Sequence, residues 1–130
     1  MESNLIFVFG SNEAGRHGAG AARVALKQYG ARLGVGCGHV GNSYAIPTKD
    51  FGINTLPIDH IRDYVDQFIR YARDNPKLQF KVTKIGCGLA GYSDSVVAPL
   101  FWSAPSNCLF DSDWLKYLPE GTRSWGTYGE

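Results

Sequence analysis

The chain has no uninterrupted apolar stretch of about 18 residues, so a hydropathy reading predicts no transmembrane helix. No basic segment precedes the first apolar run, only the acidic Glu2. No secretory leader is therefore expected, and the protein is predicted to be soluble and cytoplasmic. Cysteine is scarce. Cys37, Cys87 and Cys108 are odd in number and form no Cys-x-x-Cys pair, which argues against a disulfide framework and fits a reducing compartment. Cys37 and His39 are two apart, but His17, Cys87 and Cys108 could join them only through folding, so no metal is expected. Excess charge of one sign is also missing. With 13 basic and 12 acidic residues the net charge is +1, which excludes a broad electrostatic footprint for nucleic acid or a membrane surface. Internal repeats and low-complexity tails are absent, and 130 residues suit a single domain spanning 1–130.

What the chain does have is glycine, 16 residues of it, clustered in loops. Residues 9 to 22 carry Gly10, Gly15, Gly18 and Gly20 beside Asn12, Arg16 and His17. Leu5 to Phe9, just before, is an apolar run of strand formers and reads as a strand buried on both faces. A helix is expected from about Gly20 to Tyr29, with Ala22, Ala25, Leu26 and Tyr29 on one side. Glycine lets backbone N–H groups turn toward a ligand, and the free N–H groups of a helix start add positive potential. The loop is thus suited to an anion such as phosphate. It matches neither standard nucleotide fingerprint: no glycine stands two residues after Gly10, and no Lys-Ser or Lys-Thr pair follows the glycines.

Further on, Ala31 to Asn42 is glycine-rich and suits a strand edge and a loop. Ser43 to Thr48 reads as a short strand ended by Pro47, which leaves Lys49 and Asp50 at a strand end. Thr55 is expected to cap a helix with Pro57 and Asp59 in its first turn. Ile58, Ile61, Val65, Phe68, Ile69 and Ala72 fall on one face, and the helix ends before Pro76. Its charges, Arg62, Asp63, Asp66, Arg70 and Arg73, read as a solvated face, and His60 as exposed or half-buried. Phe80 to Ile85 reads as a strand that runs into a second glycine loop, Gly86 to Tyr92, and then a helix from Ser93 to Phe101. Two such loops at the ends of parallel strands would meet in one crevice. In the tail, Cys108 to Phe110 suits a last strand and Trp114 to Leu118 a helical turn. Trp125 and Tyr128 read as a cover over the core, without a functional role.

The order strand, Asn-containing glycine loop, Ala-rich helix, strand ending Ile46-Pro47-Thr48-Lys49, long helix, then Ile85-Gly86-Cys87-Gly88-Leu89 with Gly91-Tyr92, resembles macro domains, which bind ADP-ribose. The resemblance covers roughly residues 5 to 110 and is nearest the branch of ADP-ribosyl glycohydrolases. The opening motif is also similar to small phage and bacterial proteins. It implies an α/β fold: a three-layer sandwich with a mixed, mostly parallel central sheet flanked by helices. Asn12 would contact the distal ribose, and Gly18 and Gly20 would admit the ribose and diphosphate. Gly86, Cys87, Gly88, Leu89, Ala90 and Gly91 would wrap the diphosphate, and Tyr92 would stack near the ribose. In macro domains an acidic residue near the first strand often meets adenine; Glu2 is the acid nearest that strand, and no aligned aspartate is evident.

In the glycohydrolase branch a lysine after the proline-threonine strand attacks the anomeric carbon, and Lys49 matches it. Read without the resemblance, Lys49 is a solvated lysine at a strand end. The branch places an aspartate after Gly-Cys-Gly-Leu, where this chain has Ala90. A positioned acid or base contributes about 10²–10⁴ in rate. Asp94, Asp50 or His17 are the substitutes on offer. Cys87 would need His17 as partner to act as a nucleophile, and reads rather as a small core residue beneath the phosphate loop. The expected partner is therefore ADP-ribose or a related small nucleotide, free or on an ADP-ribosylated macromolecule, with no cofactor. Three functions follow: a reader or sequestering protein, a hydrolase releasing ADP-ribose, or an interaction protein of the same fold without nucleotide.

Overall fold

A computed structural model describes residues 4–127; Glu2 and Tyr128 lie outside the described residues. Strand β1 (Leu5–Asn12) is the spine of the molecule. Its alternation explains the architecture, because successive side chains of a strand point to opposite faces. Ile6 and Val8 enter one core, while Phe7 and Phe9 enter another, and all four are buried. A strand apolar at every position is what a sheet covered on both sides requires.

Helix α1 (Gly20–Gln28) lays Ala22 and Ala25 against Phe7, Phe9 and Ala45. On the opposite face, helix α2 (Ile58–Asp74) buries Ile61, Val65, Phe68, Ile69 and Ala72. That is the face its spacing predicts, and Arg62, Asp63, Asp66, Arg70, Arg73 and His60 are exposed. The larger core continues through Ile6, Val8, Tyr44, Ile46, Phe80 and Val82 to Phe101, Phe110 and Trp114. Sheet between two helical layers makes the three-layer α/β sandwich.

The sheet has six strands among the described residues, ordered β2-β3-β1-β4-β5-β6, where β2 is Gly38–Val40, β3 Ser43–Lys49, β4 Gln79–Val82, β5 Cys108–Asp111 and β6 Ser124–Gly126. Only β2 runs antiparallel to its neighbour; the other pairings are parallel. The chain leaves β1 for β3 on one side by way of α1, then crosses by α2 to β4 on the other. The strand order therefore reverses at β1. The crevice outside the carboxyl ends of the strands opens at such a point.

Several boundaries depart from expectation. Pro47 does not end its strand: it pairs with Ser11 inside β3. Strand β2 reaches only as far as Ala45, so Pro47 stands beyond its last neighbour on that side, where a missing N–H is tolerated. Thr55 does not cap α2. Pro57 occupies the cap, and the Thr55 hydroxyl donates instead to the Ala90 carbonyl at 3.0 Å. The strand expected to reach Ile85 stops at Val82, where Thr83 turns its hydroxyl onto the Val8 carbonyl at 2.7 Å. The helix expected from Ser93 to Phe101 divides into a short α3 (Asp94–Val97) and a 3₁₀ turn (Ala98–Phe101) with Pro99 in its first turn. In the tail, Trp125 donates its indole N–H to the Val82 carbonyl at 2.9 Å. No helix among the described residues is long and apolar enough to cross a membrane.

Candidate functional site

At the carboxyl ends of β1, β3, β4 and β5 lies a crevice of about 690 Å³. One wall is the start of α1 and the residues before it, Gly18 to Ala22; the other is the loop from Gly86 to Ala90. The expected meeting of the two glycine loops is thus seen. Asn12, Gly18, Gly20, Lys49, Gly86, Cys87, Gly88, Leu89 and Ala90 line it. Gly91, Tyr92 and Asp94 are not on the lining. The Tyr92 hydroxyl donates to the Leu56 carbonyl at 2.6 Å, and Asp94 accepts from the Trp114 indole N–H at 2.9 Å.

Asn12 ends β1, one step before the loop it was expected to occupy. Its amide fastens the first glycine loop: Nδ2 donates to the Arg16 carbonyl at 2.7 Å, and Oδ1 accepts from the Arg16 N–H at 2.9 Å. One N–H and one lone pair of that amide stay available. His17 is turned away from the crevice. It is buried edge-on against Phe9, and its Nε2 reaches the carbonyls of Arg32 and Val35 at 3.0 and 3.1 Å. Two carbonyl partners make Nε2 the protonated nitrogen. The structure does not bring His17 to Cys87. Burial, then the neighbouring Asp94, push the Cys87 thiol up to about 12, so it stays protonated at neutral pH.

The physical character of the crevice comes from unsatisfied donors. Helix α1 starts at Ala19 with no side-chain cap and has no acidic residue in its first turn. The first N–H groups of a helix have no intrahelical acceptor. Opposite them, no hydrogen bond among the described residues engages the N–H groups of Gly88, Leu89 or Ala90. Left-handed backbone at Gly86 (φ 75°) and Gly91 (φ 87°) turns the loop, and N–H donors at Gly91 and Tyr92 close it onto Gly88 and Gly86. Arg16, Lys49 and Lys84 add three cationic side chains to the lining, against one acid, Asp111. The Asp113 carboxylate, accepting from the Lys84 ammonium at 2.9 Å, raises the Lys84 pKa and keeps it charged. Backbone donors and cations converging in a concave site bind anions with several oxygens.

The rim beside Lys49 is braced. The Asp50 carboxylate accepts from the N–H groups of Gly52 and Asn54, both at 2.9 Å, and the turn holds Ile53 at φ 66°. A β-branched residue in that region is strained, and such strain concentrates at ligand sites. Ile53 lines the crevice, as does Leu89, which is 76% exposed. The bonds from Thr55 to Ala90 and from Tyr92 to Leu56 tie this rim to the second loop.

Sequence reasoning missed Ile53, Thr83, Lys84 and Asp111 as lining residues. Lys84 could have been found, because it stands between a strand and a glycine loop. Asp111 could not, since only the strand order places the end of β5 beside this crevice, and the tail was expected to have no role there. Among the described residues no group of three His, Cys, Asp or Glu is placed to hold a metal ion. Comparison of the chain with protein-family models, curated proteins and solved structures finds no match.

Proposed function

We propose that the protein binds ADP-ribose or an ADP-ribose-derived nucleotide in this crevice, as a reader or sequestering protein. The observation that carries the reading is the convergence of two unsatisfied donor sets, the first turn of α1 and the N–H groups of Gly88 to Ala90, with Arg16, Lys49 and Lys84 around one cavity. A diphosphate has the charge and the number of acceptor oxygens to satisfy both sets at once. The volume of about 690 Å³ is within the range of small-molecule sites and leaves room for groups beyond the diphosphate. The resemblance of the motifs to macro domains supplies the identity of those groups.

Binding is favoured over hydrolysis by what surrounds Lys49. Position 90, where the hydrolase branch has its acid, is alanine, and Asp94 is occupied with Trp114 away from the lining. A lysine without a positioned acid lacks the second group that cleavage of the glycosidic bond uses.

Ala19→Asp tests the reading. An aspartate at this uncapped helix start stabilises the fold by about 1 kcal/mol and places a carboxylate where the diphosphate would lie. The expected outcome is a higher unfolding midpoint together with at least tenfold weaker ADP-ribose binding in calorimetry. Absence of ADP-ribose binding to the unmodified protein at millimolar concentration would leave an interaction protein without nucleotide. Release of free ADP-ribose from modified substrates, lost in Lys49→Ala, would instead establish the hydrolase.

A further inference from the structure

We propose that the outer face of the α1 layer binds duplex DNA, holding its phosphate backbone without reading its sequence. The inference goes beyond the nucleotide reading and does not rest on it.

From Ala14 to Lys49 the sequence contains no aspartate or glutamate, yet it carries Arg16, Arg23, Lys27, Arg32 and Lys49. The net charge of +1 is a total over the chain, and this stretch shows how unevenly it is divided. Folding turns the division into a face. Helix α1 covers Phe7, Phe9 and Ala45, and His17 against Phe9 and Ala31 in the same core fix its flanking loops on that side. Arg16, Arg23, Lys27 and Arg32 are all exposed there, and none is in an ion pair among the described residues. Arg23 and Lys27 stand opposite the buried Ala22 and Ala25, about 6 Å apart along the helix. The His17 ring, on the Arg32 carbonyl at 3.0 Å, holds the loop of Arg16 beside that of Arg32. The acids that bound the stretch are engaged elsewhere: Glu13 accepts from Tyr64 of α2, on the opposite layer, and Asp50 from N–H groups of its own turn.

Exposed, unpaired cations on one face call for a polyanion. What else the face exposes decides which. A helix that lies on a lipid surface inserts several apolar side chains, and Leu33 is the one large apolar side chain exposed on this layer among the described residues. A protein interface centres on aromatic side chains, and Tyr29 is spent on Phe7, ring to ring at 4.4 Å. The same absence separates duplex from single strand, because single strands are held by stacking their bases on exposed rings. A duplex hides its bases and presents phosphate charge, one per about 1.7 Å of axis, which exposed guanidinium and ammonium groups meet without aromatic help. Arg23, Lys27 and Arg32 lie outside the crevice lining, so this face can be altered without touching the crevice.

The test is fluorescence anisotropy with a short labelled DNA duplex of mixed sequence, titrated with the unmodified protein between about 50 and about 200 mM salt. Four phosphate contacts give a slope of log K on log salt of about −3.6, a loss of roughly 100-fold across that range. Arg23→Gln with Lys27→Gln keeps good helix formers in α1 and is expected to bring the slope to about −1.8, with at least tenfold weaker binding at the lower salt. Arg62→Gln with Arg70→Gln, the same charge change on the exposed face of α2, is expected to stay within twofold of the unmodified protein. Absence of duplex binding at the lower salt overturns the proposal. So does equal loss in the two double variants, which makes the effect one of total charge, or an unchanged slope in the α1 variant. Equal or tighter binding of the single strand, or of vesicles of phosphatidylcholine with phosphatidylserine, overturns the assignment of the face to duplex DNA.

Discussion

A Cβ on Gly36 would lie 1.9 Å from the carbonyl oxygen of Asn12, far inside contact distance, with backbone on every side that could yield. The Ser11 hydroxyl donates to the Gly36 carbonyl in the same place, so the stretch before β2 is pressed directly onto the end of β1. Gly36→Ala is expected to cost about 3 kcal/mol, the upper part of the range for overpacking a closed site. Gly18→Ala, whose Cβ would meet nothing within 4 Å, should stay within about 0.5 kcal/mol of the parent. Denaturant midpoints of the two variants check both. In the sequence these glycines look alike, members of two glycine-rich stretches. Which of them is sterically obligatory was not legible, because the clash at Gly36 is with a carbonyl contributed by a distant strand. The free N–H groups of Gly88, Leu89 and Ala90 were easier to foresee, because a glycine loop leaves its own backbone unpaired.

Helices and strands were readable to the extent that their own residues decide them. The 3.6-residue period of Ile61, Val65, Phe68, Ile69 and Ala72 specifies α2 without reference to anything else, and the apolar run of β1 likewise. Pro47 and Thr55 misled because their local signals were overruled by neighbours: an edge left open beyond β2 for the one, a carbonyl on the opposite loop for the other. Asp111 lay hidden for the same reason on a larger scale, since strand order is a property of the sheet. Phe68 is where α2 is most committed to the fold. Its ring is fully buried and meets those of Tyr44, Phe80 and Phe101 at 5.1, 5.3 and 6.1 Å. Phe68→Ala is expected to lose about 3–5 kcal/mol, read as a lowered urea midpoint. That is a large part of the stability of a domain this size.

For the molecule as a whole, alkaline pH is the expected weakness. Burial pushes the Tyr44 phenol up to about 12, and the Glu13 carboxylate that accepts from the Tyr64 hydroxyl at 2.5 Å, helped by burial, pushes Tyr64 up to about 12 as well. Both start from 10.0 when unfolded. A pKa raised by folding means the folded state holds its proton more tightly. The stabilisation is complete below pH 10 and is lost as pH climbs toward 12. The Cys87 and Cys108 thiols, 9.0 when unfolded and likewise pushed up to about 12 in the fold, start the loss earlier, so unfolding midpoints should be flat up to about pH 9 and fall beyond it, less steeply in Tyr64→Phe, which removes one of these titrations. The two margins of the sheet carry a different consequence. β2 and β6 are three residues each, and they flank the four strands between them. A foreign strand seeking to extend the sheet finds only a few exposed amide and carbonyl groups on either margin, too short a row to template growth. The fold thus guards itself against edge-to-edge aggregation by brevity, and, where β3 runs on past β2, by Pro47, which has no N–H to offer a foreign strand.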